Sequence, residues 1–219
     1  DVDTVVGELM DAGLDSVPGA GAEILVDDVR DRIAKKKIDT GRWLDIHRAV
    51  HGRGLLSSAT MMFGAGESRE DRVEHMMRVR DLQRETGGFT AFIPWTLQSD
   101  GTEMDGTPEA TAAEYLKTVA ISRLVIDNVR NLQVSYVTQG PKVAQVALHF
   151  GCNDFGSLMM EENVVSATGT DFIMPRPMLV RFIEEAGFKA VPRYQDYSPV
   201  RDDLDWYCGC AVCLDRRGE

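Results

Sequence analysis

A carboxylate placed just beyond a glycine turn at the end of an apolar run is the most chemically suggestive pattern in this chain, and it occurs twice. Glu67 follows Ser58-Ala-Thr-Met-Met-Phe-Gly64, and Glu23 follows the Gly19-Ala-Gly21 turn that closes Gly13-Leu-Asp-Ser-Val-Pro-Gly19. At the carboxyl end of a barrel-type strand such a group faces the side where cofactors and substrates are handled. There it can accept hydrogen bonds from ribose hydroxyls or from an ammonium group. The same residue can instead be a helix-start charge favoured by the macrodipole, and for Glu23 both readings stay open. Asp15 and Ser16 divide likewise between a site and a structural turn. Three thiols gather in Cys208-Gly-Cys-Ala-Val-Cys213, but zinc requires a fourth ligand that the neighbouring residues do not clearly supply. An irregular tail is the preferred reading over a metal site.

Neutral polar groups form a second pattern. Trp95, Thr96 and Gln98 on one run, and Ser135, Thr138 and Gln139 on another, are expected to alternate toward the mouth of the fold. Such a lining suits a nucleoside-like small molecule, whose hydroxyls need paired donors and acceptors and whose aromatic part can stack on Trp95. Lys142 either meets a substrate carboxylate or is a solvated first-turn residue. Glu161, Glu162 and Asn163 read as a capped helix start or, for one carboxylate, as a general base. His47, His51 and His75 read as ordinary helix residues, partly buried or at the surface, and His149 as a helix-end cation. Cys152 reads as a small buried hydrophobe. The lone Gly19-x-Gly21 is too weak for a dinucleotide fold.

The elements that must position these groups alternate. Extended runs near 14, 59, 91, 135 and 153 are separated by helical patterns at 22–33, 40–53, 68–85, 109–127 and 141–149, with a last helix over 175–186 stopped by Gly187. Ser68 three residues before Asp71 marks a capping-box start. Val73, Met76, Met77, Val79 and Leu82 make that helix's apolar stripe, and Arg69, Arg72, Glu74, Arg78, Arg80 and Asp81 its solvated face. The polar stretch 98–108 is a loop and a candidate lid. Periodicity fades from Pro192, so 1–195 reads as one body and 196–219 as an irregular tail. Alternating strand and helix predicts an α/β fold with parallel strands. About five strands do not close a barrel, which needs eight, so we expect a partial barrel of βα units lacking three at the amino end.

The chain has 219 residues, 43% hydrophobic and 27% charged, which is enough for one substantial core. Its net charge of -11 disfavours anionic membranes and nucleic acid as partners. Neither a bilayer-length apolar run nor a signal-peptide start is present, which makes a cytoplasmic location the expectation.

Five segments carry a resemblance: 12–25, Ala59-Thr-Met-Met-Phe-Gly64, 83–95, Tyr136-Val-Thr-Gln-Gly-Pro-Lys142 and Met159-Met-Glu-Glu-Asn-Val-Val165. Over about residues 5–195 the chain resembles the radical S-adenosylmethionine enzymes of the futalosine route to menaquinone. Ile93-Pro-Trp-Thr96, Val137-Thr-Gln139 and Glu161-Glu-Asn-Val164 fit the ring-forming branch better than the aminofutalosine or deazaflavin-forming sisters. The resemblance implies a partial TIM-type barrel, its fourth to eighth strands, acting on dehypoxanthine futalosine with S-adenosyl-L-methionine and a [4Fe-4S] cluster as cofactors. It implies cofactor contacts for Asp15, Ser16, Glu23, Thr60, Met62 and Glu67, although Ala65-Gly66 stands where the family carries His-Val. It also implies substrate contacts for Trp95, Thr96, Gln98, Ser135, Thr138, Gln139 and Lys142, and a catalytic base at Glu161 or Glu162. The family's Cys-x₃-Cys-x₂-Cys cluster loop is not in this sequence, so an incomplete enzyme, inactive alone, is expected. An exposed strand edge at 14–17 is expected to promote self-association.

Overall fold

Two long strands carry the architecture of the computed structural model, which describes residues 1–158 and 174–200. Helix α1 (Val2–Asp11) leads to β1 (Ser16–Val17), α2 (Asp27–Ile33) and α3 (Thr40–Gly52) to β2 (Leu56–Phe63), and α4 (Arg69–Thr86) to β3 (Phe89–Thr96). Then follow α5 (Ala112–Val125), β4 (Asn131–Leu132), α6 (Tyr136–Ala147) with a 3₁₀ turn Leu148–Phe150, and α7 (Arg176–Glu185). All strand pairs are parallel, in the order β1-β2-β3-β4. This is an α/β fold in which helices bridge parallel neighbours.

β2 and β3 pair from Ser57 with Phe89 to Phe63 with Thr96, and a bulge after Ser57 skips Thr90. The Thr90 hydroxyl donates to the Ser57 carbonyl at 3.0 Å. From the bulge onward Ala59, Met61, Phe63 and Phe92 face the helices and are fully buried. Ser58, Thr60, Met62, Ile93 and Trp95 share the opposite face by alternation. The core between sheet and helices is closed by Tyr115, Val79, Met76, Val29 and Leu25.

Several expected boundaries move. The strand expected over 13–19 shrinks to two residues, and the one over 151–156 to a single parallel bridge between Gln133 and Asp154. The run 132–138 is not a strand throughout. Its β-branched alternation gives way at Ser135 to the first turn of α6, which Gly140 (φ 72°, ψ 161°) and Pro141 interrupt. The helix expected from 22 begins at Asp27, because Gly21 (φ 81°) and Glu23 (φ 42°) are left-handed and the chain there lies against β2. Ala22, Ile24 and Leu25 are buried as an irregular segment. Helix α5 starts at Ala112, capped by Thr111.

Helix α4 has the expected capping box, Ser68 and Asp71 each bonding the other's backbone N–H. Two of its residues change sides: Val73 is 40% exposed, while the Arg72 side chain, 11% exposed, is held in ion pairs. Residues 192–200 form turns and a single antiparallel bridge between Arg193 and Pro199. No helix among the described residues is long and apolar enough to cross a membrane.

The histidines are more deeply placed than expected. The Thr86 hydroxyl donates to the Leu82 carbonyl, so it accepts from His51 Nδ1–H at 2.6 Å. His51 Nε2 then accepts from Ser57 Oγ–H at 2.7 Å, and Ser57 Oγ accepts from His47 Nδ1–H at 2.9 Å. His75 Nδ1 accepts from the Leu25 N–H at 3.0 Å. Burial holds His47 and His75 down at about 3 and His51 at about 4. Unfolding returns each ring to a pKa of about 6.5, so the unfolded chain binds more protons below that pH. Stability from these groups is full above pH 6.5 and declines as pH falls toward 4. We predict that the urea midpoint falls steadily over that window and that His51→Gln flattens the fall; a midpoint unchanged between pH 6.5 and 4 contradicts neutral buried rings.

Candidate functional site

The segment 19–25 forms one wall. Gly19 passes so close to β2 that a Cβ there would lie 2.5 Å from the Ser58 carbonyl oxygen. The Gly19 N–H donates to Ser58 Oγ, the Thr60 hydroxyl donates to the Gly19 carbonyl at 2.7 Å, and the Met62 N–H donates to the Glu23 carbonyl at 3.0 Å. Arg30, only 3% exposed, directs its guanidinium to the carbonyls of Gly21, Ala22, Ile24 and Ile38. These contacts over-determine the left-handed backbone of Glu23, the kind of local strain that clusters at ligand sites. The Glu23 carboxylate, in a residue 7% exposed, pairs with the half-exposed ammonium of Lys37. Glu23 is not at a helix start, since α2 begins four residues later.

Glu67 is turned inward. Its carboxylate accepts from the N–H groups of Gly64 and Ala65, both at 2.8 Å, and from Arg72 Nε at 2.6 Å. Arg72 reaches on to Glu114 at 2.7 Å and lies 4.6 Å over the Phe63 ring. The carboxylate thus closes the turn after β2 and ties α4 to α5.

At the far ends of β3 and β4 the neutral groups join into one network. Thr96 Oγ1 accepts from Gln139 Nε2 at 2.6 Å and from Gln98 Nε2 at 3.1 Å. Gln139 Nε2 also donates to Thr138 Oγ1 at 3.2 Å, and the Thr138 hydroxyl donates to Ser135 Oγ at 3.0 Å. Tyr115 anchors the corner, its hydroxyl accepting from the Ser135 N–H at 2.9 Å. Five expected substrate residues are therefore assembled, three of them by the first turn of α6 rather than by a strand. Trp95 is separated from them: it and Thr96 are consecutive in β3 and face opposite sides, so Trp95 shares the face of Met62 and Thr60. Lys142 is exposed on the second part of α6. Glu161, Glu162, Cys208, Cys210 and Cys213 lie outside the described residues.

Asp15 and Ser16 are not brought to Glu23. Ser16 pairs with Leu56 and the Glu23 carbonyl meets Met62, six residues further along β2, which is roughly 20 Å at the rise of a strand. They line a cavity of about 620 Å³ with Ser58, Thr90, Ile93, Gln133 and residues 193–198. Arg30, Arg72 and Asp154 carried no signal in the sequence, because a buried ion looks like a solvated one until its partners are known.

An iron–sulfur cluster is not fitted by what is described. Among the described residues no three His, Cys, Asp or Glu side chains gather to hold a metal, and burial pushes the thiol of Cys152 up to about 12. Glu23 does fit a hydroxyl or ammonium donor, having a carboxylate with one displaceable partner.

A parallel α/β chain with a preorganised carboxylate and a neutral amide–hydroxyl network belongs, by comparison with known proteins, to the family described as the CofH/MqnC C-terminal region, whose model matches residues 86–205. It is 48% identical over 200 residues to the cyclic dehypoxanthine futalosine synthase of Halalkalibacterium halodurans, covering 91% of this chain and 54% of that one. The protein of the same name from Streptomyces coelicolor is 42% identical, over 93% and 53% of the two chains. The 5-amino-6-(D-ribitylamino)uracil--L-tyrosine 4-hydroxyphenyl transferase of Methanospirillum hungatei is 41% identical, over 90% and 55%. The chain spans about half the length of these relatives.

Arg72→Met would strand the buried Glu67 carboxylate. We expect a loss of about 3–5 kcal/mol, the usual effect of breaking a buried pair from one side, with Arg72→Lys recovering part of it. Chemical denaturation measures both, and a Met variant within about 0.5 kcal/mol of the parent rules out this role.

Proposed function

We propose that this chain represents the strand-and-helix half of a radical S-adenosyl-L-methionine enzyme that cyclises dehypoxanthine futalosine in menaquinone biosynthesis. The observation that carries this reading is the 48% identity to a cyclic dehypoxanthine futalosine synthase across nearly the whole chain. Similarity to the ribitylaminouracil-directed transferases reaches 41–44%, below that 48%. On this reading the sheet is an arc of a TIM-type barrel, and the carboxyl ends of β2 and β3 belong to its reaction face. The cluster's ligands belong to a part of the enzyme outside the residues described.

When bound, the cofactors supply the radical that starts the reaction. What the residues of this chain contribute is binding and exclusion of water. Glu23 accepts hydrogen bonds from the cofactor's ribose hydroxyls or its ammonium group, exchanging Lys37 for the ligand. Thr60 and Met62 are neighbours on the same wall, and Trp95 offers an aromatic face beside Met62. The Thr96–Gln139–Thr138–Ser135 network, with Gln98, supplies neutral donors and acceptors for the substrate's hydroxyls. A network already bonded to itself holds those groups in position before the ligand arrives. Glu67 contributes by fixing the Gly64–Ala65 turn, and Lys142, Glu161 and Glu162 remain candidates for a carboxylate contact and a proton acceptor. The proposed partner is therefore a small nucleoside-like molecule.

A chimera tests the reading directly. Joined to the remaining half of the Halalkalibacterium relative, with cluster and cofactor incorporated, this chain is expected to form the cyclic product from dehypoxanthine futalosine. A loaded chimera that releases only products of cofactor cleavage sinks the substrate assignment. In the same protein Glu23→Gln is expected to raise the cofactor Kd by roughly ten- to a hundredfold, the value of a charge-assisted hydrogen bond, at unchanged cluster content. An unchanged Kd removes Glu23 from the cofactor site.

A further inference from the structure

Residues 192–200 form a small hairpin whose order is internal. The Tyr194 N–H donates to the Ser198 carbonyl at 2.9 Å, the Val200 N–H to the Pro192 carbonyl at 3.3 Å, and the Tyr197 N–H to the Tyr194 carbonyl at 3.1 Å. Asp196 Oδ1 accepts from both the N–H and the hydroxyl of Ser198, and Tyr197 closes the turn in the left-handed region at φ 66°. No residue from 191 to 200 is buried, with Tyr194 45% and Val191 62% exposed. Pro192, Arg193, Tyr197 and Val200 are half-buried and the other residues of the hairpin are exposed.

One carboxylate does most of the holding. Asp154 Oδ2 accepts from Arg193 Nη2 at 2.6 Å and from the Tyr197 hydroxyl. Among the described residues these are the hydrogen bonds that join residues 193–198 to the rest of the chain. The Arg193 guanidinium lies 3.9 Å over the Tyr197 ring, so the two donors reach the same oxygen as a stacked unit. The other oxygen of Asp154 accepts from the Gly156 N–H at 3.0 Å, and the residue bridges to Gln133 beside β4. The anchor is thus rigid and nearly buried, its side chain 8% exposed.

The hairpin's position gives the latch a purpose. Residues 193–198 line the cavity of about 620 Å³ together with Ser16, Leu56, Ser58 and Thr90, residues at the beginnings of β1, β2 and β3. The Glu23 and Gln139 groups lie at the other ends of those strands. We infer that residues 192–200 are a detachable floor across the amino half of the sheet's inner face, latched by Asp154 and able to open without unfolding the sheet. Segments with few buried contacts open locally at lower free energy than the core, and here both hydrogen bonds to the body end on one anion.

The experiment compares the parent chain with Asp154→Asn and Tyr197→Phe. Trypsin cutting after Arg193 and chymotrypsin cutting after Tyr194 and Tyr197 are followed by mass spectrometry, and hydrogen exchange is followed in peptides covering 192–200, 56–58 and 90–93. Weakening the charge-assisted bonds should raise the open population, and with it the cutting rate, by roughly ten- to a hundredfold in Asp154→Asn. Tyr197→Phe should give a smaller rise in the same direction. Exchange in peptides covering 192–200 should quicken while peptides of β2, β3, α4 and α5 stay protected. Unchanged cutting in both variants overturns the latch. Cutting that rises together with exchange across α4 and α5 overturns the detachable floor, because Asp154 would then be supporting the whole body. Tyr197→Phe alters only the hairpin's side of the contact, so it decides the question should Asp154→Asn not fold.

Discussion

The buried guanidinium of Arg30 is the constraint on which the candidate site depends. A charged group at 3% exposure is tolerable only if its donors are satisfied, and here they are satisfied by the carbonyls of Gly21, Ala22, Ile24 and Ile38. Those carbonyls belong to two irregular segments that no helix or sheet organises. By gathering them, Arg30 fixes the loop that carries Glu23 and the loop that carries Lys37 against each other. Met62 and His75 then lock the first loop to β2 and α4. The energy of one buried ion is thereby converted into the geometry of a carboxylate that lies beyond it.

Charge elsewhere is also used internally. Glu67, Arg72 and Glu114 tie the end of β2 to two helices, and the histidines near Ser57 are held neutral by burial. The groups assembled at the end of β3 are uncharged amides and hydroxyls. On the proposed reading such groups meet a ligand's hydroxyls through directional bonds, whose strength depends on alignment more than on ionic strength.

Much of the fold was legible. Helix α4, with its capping box, and strands β2 and β3 fall where apolar periodicity and glycine punctuation put them, because in these elements local propensity and tertiary packing agree. The failures share a cause. Ala22, Ile24 and Leu25 have helix-compatible spacing, but the left-handed Gly21 and Glu23 and the clamp of Arg30 hold them as a loop. Ser135, Thr138 and Gln139 sit in a strand-like alternation, yet Gly140 and Pro141 break the chain so that a helical turn presents them. They converge on Thr96 by that route. Arg72 looked solvated because its partner Glu114 is 42 residues distant in the chain. The resemblance groups Asp15 and Ser16 with Glu23, whereas the segment between them runs the length of β2.

The bulge opposite Ser57 acts as a reading frame for the inner face. Before it, Ser57 is matched with Phe89; after it, Ser58 is matched with Ala91, and every later rung inherits that one-residue offset. Had the count continued evenly, Pro94 would stand opposite Met62, and the indole of Trp95 would share a side with Phe63 among the helices. The chemical character of a surface some fifteen ångströms further along is therefore decided by a single unmatched threonine at the strand's beginning. In such a sheet the identity of a side chain matters less than its parity.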